Sequence, residues 1–181
     1  MANVILDTLL ILSLVSAEGR YQVLYSIERM QPIQVAWLLS SADLGRTHRD
    51  PSYRFVPDDR CPAPRSTPED YTHSGYDRGH HCPAADRSVS ISSMKSTFLM
   101  SNISPQAPRL NRGAWKKVEE ACRQMARNGH RLAIRSMPVF WPAPVQLIGH
   151  NRVPVPHAFV KEVRLADTDS IIFSKYYCNE N

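Results

Sequence analysis

The feature that most constrains this fold is one long helical pattern set among strand-like segments. Over residues 113–128 the apolar side chains Trp115, Val118, Cys122 and Met125 recur at helical spacing. One stripe of that helix must therefore be buried against something apolar. Asn128 and Gly129 supply its C-terminal stop. The candidate partner is a sheet. Residues 10–15 and 21–25 read as a hairpin turning at Glu18-Gly19, and residues 35–39 as a further short strand. Beyond the helix, residues 131–135, 145–148, 159–163 and 171–177 read as strands. The expected class is α+β, with a central antiparallel sheet and flanking helices, in a single domain over residues 1–181.

Between the two halves lies a stretch rich in breakers. Residues 41–75 hold Pro51, Pro57, Pro62, Pro64 and Pro68 and read as a surface excursion rather than a linker. Residues 76–80 should end a strand or start a turn, with Gly79 permitting close backbone approach. Residues 88–96 suit a short helix. Residues 97–102 alternate and suit a strand delivering Asn102 to one end, after which Pro105 and Pro108 break the chain.

The N-terminal apolar stretch, residues 5–15, is interrupted by Asp7 and is too short to span a membrane. It offers a small-residue cleavage site at Val15-Ser16-Ala17, but no Lys or Arg precedes Arg20, so the strand reading is favoured over a signal peptide. Cys61, Cys82, Cys122 and Cys178 form no C-x-x-C, which argues against structural zinc. A zinc site from His80, His81, Cys61 and Cys82 has poor ligand spacing, and a single disulfide stays open. Cys122 falls on the apolar helix stripe.

Charge is unevenly placed. The net charge is +5, yet residues 78–135 hold 11 Lys and Arg against 3 Asp and Glu, a balance of +8, leaving −3 for the rest. A polyanion would dock there. The segment opens on Arg78-Gly79-His80, directly after Asp77, and then holds Asn111 and Glu119. His80, with an ordinary pKa near ~6.5, suits general-base work at neutral pH. Arg78 shares its strand face and can grip a phosphate bidentately. His81 and Asp77 point the other way; Asp77 is expected to orient loop backbone.

On a helix turning ~100° per residue, Arg112, Lys116, Glu119 and Arg123 share one face beside the apolar stripe. Glu119, nearest the core, should be half-buried among positive charges. A solvated face with a Glu119–Arg123 pair is the plain alternative. Eight residues of helix separate Asn111 from Glu119 by roughly 12 Å, while magnesium–oxygen bonds are only ~2.1 Å. Asn111 is therefore expected to ligate the ion directly, and Glu119 to hold it through water. Asn111 also suits a helix N-cap. The set points to one-metal phosphodiester cleavage.

Residues 70–86 resemble the D-R-G-H block of the DNA/RNA non-specific endonucleases, the ββα-metal (His-Me finger) family of endonuclease G-like enzymes. Residues 97–120 resemble that family's second block, through Thr-Phe-Leu-Met-Ser-Asn-Ile-Ser-Pro-Gln, Leu-Asn-Arg-Gly-Ala-Trp and Val-Glu-Glu. Residues 149–163 carry weaker similarity. The resemblance implies a nuclease domain with its core at about residues 70–135, in which His80 is the general base. Asn111 would be the one direct ligand of hydrated magnesium (or manganese), with Glu119 on that ion's waters. Arg78 would contact the phosphate, with Asn102 in the catalytic set. Arg123, Arg112 and Lys116 would bind substrate. DNA and RNA, single- and double-stranded, would be cut to 5′-phosphate ends with little sequence preference. It also implies no membrane association, admits a homodimer and a protein inhibitor, and points to a secreted, periplasmic or organellar setting. The family's upstream phosphate-binding arginine could be Arg49, Arg54 or Arg65. The sequence departs from the family at His81-Cys82 and at Ser136-Met137-Pro138. A non-catalytic nucleic-acid-binding protein that keeps the fold is the alternative.

Overall fold

The computed structural model describes residues 11–16, 20–141 and 145–180. The strands are β1 (Ile11–Val15), β2 (Tyr21–Ser26), β3 (Gln31–Leu39), β4 (Asp77–His80), β5 (Ile103–Gln106), β6 (Leu132–Val139), β7 (Leu147–Ile148), β8 (Val153–Pro154), β9 (Ala158–Leu165) and β10 (Ile171–Cys178). The helices are α1 (Ile91–Ser96) and α2 (Lys116–Arg127). Six strands form an antiparallel sheet in the order β1-β2-β3-β6-β9-β10, and β4-β5 and β7-β8 form two separate ribbons. The expected α+β architecture is the one observed. The turn expected at Glu18-Gly19 lies outside the described residues.

The helix stripe explains the main core. Cys122 and Ala126 of α2 are buried against Val35, Trp37 and Leu39 of β3, Leu132 and Ile134 of β6 and Val163 of β9, while Val118 and Met125 pack at its margin. Register places Trp37 beside Ile134 and Ile134 beside Val163, so inward residues form continuous rows. Gly129 takes φ +95° just past the helix end, the left-handed cap that its sequence position called for. A second core of Tyr71, Met100, Ile103, Ile148 and Val153 lies beside the β4-β5 ribbon, and a third joins Leu110 and Trp115 to Phe159 and Tyr177.

Several expectations are corrected. Residues 97–102 are not a strand: a 3-10 turn, Met100–Asn102, precedes β5. β5 runs through Pro105, which is tolerated because β5 pairs on one side only and no ladder N–H is lost there. Residues 145–148 contribute only the two-residue β7, outside the main sheet. The helix does not run unbroken from residue 113. A helical turn at Pro108–Leu110 leads into a wide π-type turn, Asn111–Trp115, in which Gly113 leaves helical geometry (φ −105°, ψ −107°). All four cysteines are free, with Cys178 exposed and the others buried. No helix among the described residues is long and apolar enough to cross a membrane.

Candidate active site

β4 sorts its side chains by parity. Arg78 and His80 face the same way and flank the Phe55 ring: the Arg78 guanidinium lies 5.8 Å from its centroid and the His80 ring 5.2 Å. Phe98 stands edge-on to His80 at 5.2 Å. His80 Nε2 is buried and has no hydrogen-bond partner among the described residues. Burial, with the Arg49 cation nearby, pushes the His80 pKa down to about 3. The ring is thus neutral at physiological pH and able to accept a proton. Arg78 is anchored from behind, donating to the Pro68 carbonyl and to Thr72 Oγ1. Gly79 is needed for the ribbon to close: a Cβ there would meet the Gln106 side chain at 2.5 Å.

His81 turns into the core. Its ring nitrogens bond the hydroxyls of Ser136 and Ser104, each at 2.8 Å. Asp77 behaves differently from its expected role. Its carboxylate accepts Asn111 Nδ2 at 2.9 Å and Arg112 Nε at 2.8 Å, so it orients Asn111 rather than loop backbone. With the amide nitrogen committed, Asn111 presents Oδ1, which makes no hydrogen bond among the described residues. A neutral oxygen so presented is a donor that a hard divalent cation accepts, and on this ground the residues fit a hydrated ion. The break at Gly113 means that the 12 Å straight-helix spacing does not apply across Asn111–Trp115.

Glu119 lies in a buried charge cluster on α2. Its Oε1 is 3.7 Å from Lys161 Nζ, which itself sits 3.9 Å from the Trp115 ring centroid. Burial raises the Glu119 pKa to about 7, with Lys161 opposing the shift. The Glu119–Arg123 pair of the plain alternative does not form among the described residues. Arg123 instead binds Asp86 at 2.9 Å, and Asp86 also accepts Trp37 Nε1 at 3.0 Å. Arg123, expected to bind substrate, is 9% exposed and has its guanidinium on Asp86. Asn102, expected in the catalytic set, lies behind the motif strand. It is fully buried, accepts from the Cys82 backbone N–H and donates to the Cys82 and Thr97 carbonyls. It fastens the end of the motif strand, with both of its amide N–H groups committed to backbone carbonyls.

Arg112 and Lys116 stand exposed on the helix, Arg112 leaning on Asp77 and Lys116 3.7 Å from Glu120. Of the three upstream arginines, Arg49 reaches the site, its guanidinium 5.0 Å from the Phe98 centroid and 6.0 Å from that of Phe55. Arg54 is turned onto the carbonyls of Pro51 and Tyr53, and Arg65 onto Asp59 and the Cys61 carbonyl. Sequence reading missed Lys161. The alternation of β9 carried the signal, because Lys161 shares parity with buried Phe159 and Val163 and an inward lysine needs an anion.

The model of the DNA/RNA non-specific endonuclease family matches residues 13–180. A nuclease of Nostoc sp. is 39% identical over 123 residues, covering 67% of this chain and 44% of that protein. Human mitochondrial endonuclease G is 35% identical over 126 residues, covering 65% and 42%. The chain thus spans less than half the length of these relatives. A solved EndoG/EndoGI complex superposes with a TM-score of 0.79 at 26% identity, covering 94% of this chain and 74% of that one.

Proposed function

Since the chain belongs to the DNA/RNA non-specific endonuclease family, we propose that it is a metal-dependent endonuclease hydrolysing phosphodiester bonds of DNA and RNA to 5′-phosphate ends. The observation that carries this reading is the Asp77–Asn111 bond: one four-residue strand supports a neutral histidine at one end and aims an amide oxygen from the other. Asn111 would hold a magnesium ion directly, and Glu119 would hold it through water. When bound, the ion would supply Lewis-acid stabilisation of charge on the phosphate and on the leaving 3′-oxygen.

The protein groups do the remainder. His80 accepts the proton of the attacking water. Its apolar box disfavours the imidazolium in the free protein; an anionic phosphate arriving beside it offsets that penalty and raises its basicity. Arg78, held rigid by Pro68 and Thr72, and Arg49, also against the Phe55 ring, present two cations to that phosphate. These contacts address backbone rather than base edges, which supports low sequence preference.

The same reading includes a homodimer and a protein inhibitor, the latter supported by the fold shared with an EndoG/EndoGI complex. The alternative is a binding protein that keeps the fold without catalysis. Supercoiled plasmid and RNA incubated with the protein across Mg2+, Mn2+ and Ca2+ separate the two. Nicking, linearisation and 5′-phosphate ends are expected with Mg2+ or Mn2+; salt-sensitive binding with no cleavage under any divalent ion would leave only the alternative.

A further inference from the structure

A cleft of about 640 Å³ opens beside the site and is lined by Arg46, His48, Arg49, Tyr53, Val89 and Ile91, among others. It is built from the loop before the motif and the start of α1. Arg49 is the junction: it lines this cleft and also lies against the Phe55 and Phe98 rings that box His80. Arg46, His48 and Arg49 are exposed, and none makes an ion pair with an acid among the described residues. Lys95 extends the row, its Nζ 5.1 Å from the Tyr53 centroid. The cleft's acid, Asp50, uses its carboxylate to hold the Ser52 N–H at 2.7 Å. The same cleft exposes aliphatic surface, with Val89 40% and Ile91 58% exposed.

Cations together with exposed aliphatic and aromatic surface in one cleft match one ligand chemistry. Phosphates track the cations, and unpaired bases lie against the apolar surface. A duplex would offer the cations its phosphates but keep its bases stacked away from Val89 and Ile91. We propose that this cleft is a subsite for unpaired nucleotides flanking the scissile phosphate, reached past Arg49 and lying at the opposite end of β4 from Arg112. The proposal rests on the nuclease reading for the direction of the strand but not for its binding.

The test uses the whole chain and the variant Arg46→Ala/Ile91→Asp, which leaves Arg49, Arg78 and His80 in place. Affinity for a fluorescent 12-nucleotide single strand is measured in EDTA at several salt concentrations, and magnesium-supported cleavage of a four-nucleotide substrate is measured alongside as the control for folding. The variant should bind the 12-mer about tenfold more weakly, with a salt slope shallower by about 0.7 per lost phosphate contact, while the short substrate is cut at an unchanged kcat. Equal affinity and slope in both proteins, or no wild-type binding of the 12-mer, overturns the subsite. Weaker binding by the variant together with no cleavage by wild type sustains the subsite and removes the nuclease reading instead.

Discussion

Asn111 donates its side-chain Nδ2 to the Asp77 carboxylate at 2.9 Å, and with the Arg112 bonds to the same carboxylate this joins the motif strand to the broken start of the long helix. It is an orienting contact. Without it the amide can rotate and offer nitrogen instead of oxygen to a cation. Asp77→Ala should therefore raise the magnesium concentration for half-maximal cleavage by about 10- to 100-fold, the usual cost of losing a group that holds a metal ligand. An unchanged magnesium dependence would show that Asn111 is oriented by something else.

Arg123 and Asp86 form a buried ion pair, with side chains 11% and 1% exposed. Replacing Arg123 by Met leaves the buried Asp86 carboxylate without its ion-pair partner, holding only the Trp37 N–H. The expected loss is about 3–5 kcal/mol in urea unfolding, with DNA affinity of the folded protein within twofold of wild type. The reverse pattern, full stability and collapsed affinity, would return Arg123 to a substrate-binding role.

His81 sets an acid limit on stability. It is 1% exposed, and burial, then Lys161 and His80, push its pKa down to about 3. Above the ordinary histidine value near ~6.5, neither the native nor the unfolded ring is charged, and its contribution is fully present. Between there and about 3 the unfolded chain takes up a proton that the native state refuses, so stability falls with acid by up to ~1.4 kcal/mol per pH unit. Glu119 acts in the opposite sense: its raised pKa favours the native state at low pH, an advantage lost as pH rises towards about 7. Comparing wild type with His81→Gln at pH 7, 6 and 5 cancels the Glu119 contribution. The variant should show a shallower slope by about one proton; identical slopes would mean that His81 is protonated in the native state.

Much of this was legible in sequence, and the failures have physical causes. The Trp115–Val118–Cys122–Met125 stripe located the helix and the face it buries, because periodicity reports directly on burial. Strand parity sorted Arg78 and His80 from His81. Parity alone misjudged Asp77, since which element docks on a strand's second face depends on topology. Asn102 and Arg123 show a related limit of sequence. A polar residue near a site reads the same whether it meets substrate or satisfies a buried backbone or charge, and only burial separates the two. The break at Gly113 was invisible, because a glycine at a helix start also fits an unbroken helix.

The central claim is that His80 moves the proton of the attacking water, and single-turnover cleavage of a DNA substrate in magnesium by wild type and His80→Ala tests it most directly, with binding measured separately in EDTA. The variant should cut at least about 10²-fold more slowly while binding DNA within twofold of wild type. Cleavage by His80→Ala at the wild-type rate would contradict it.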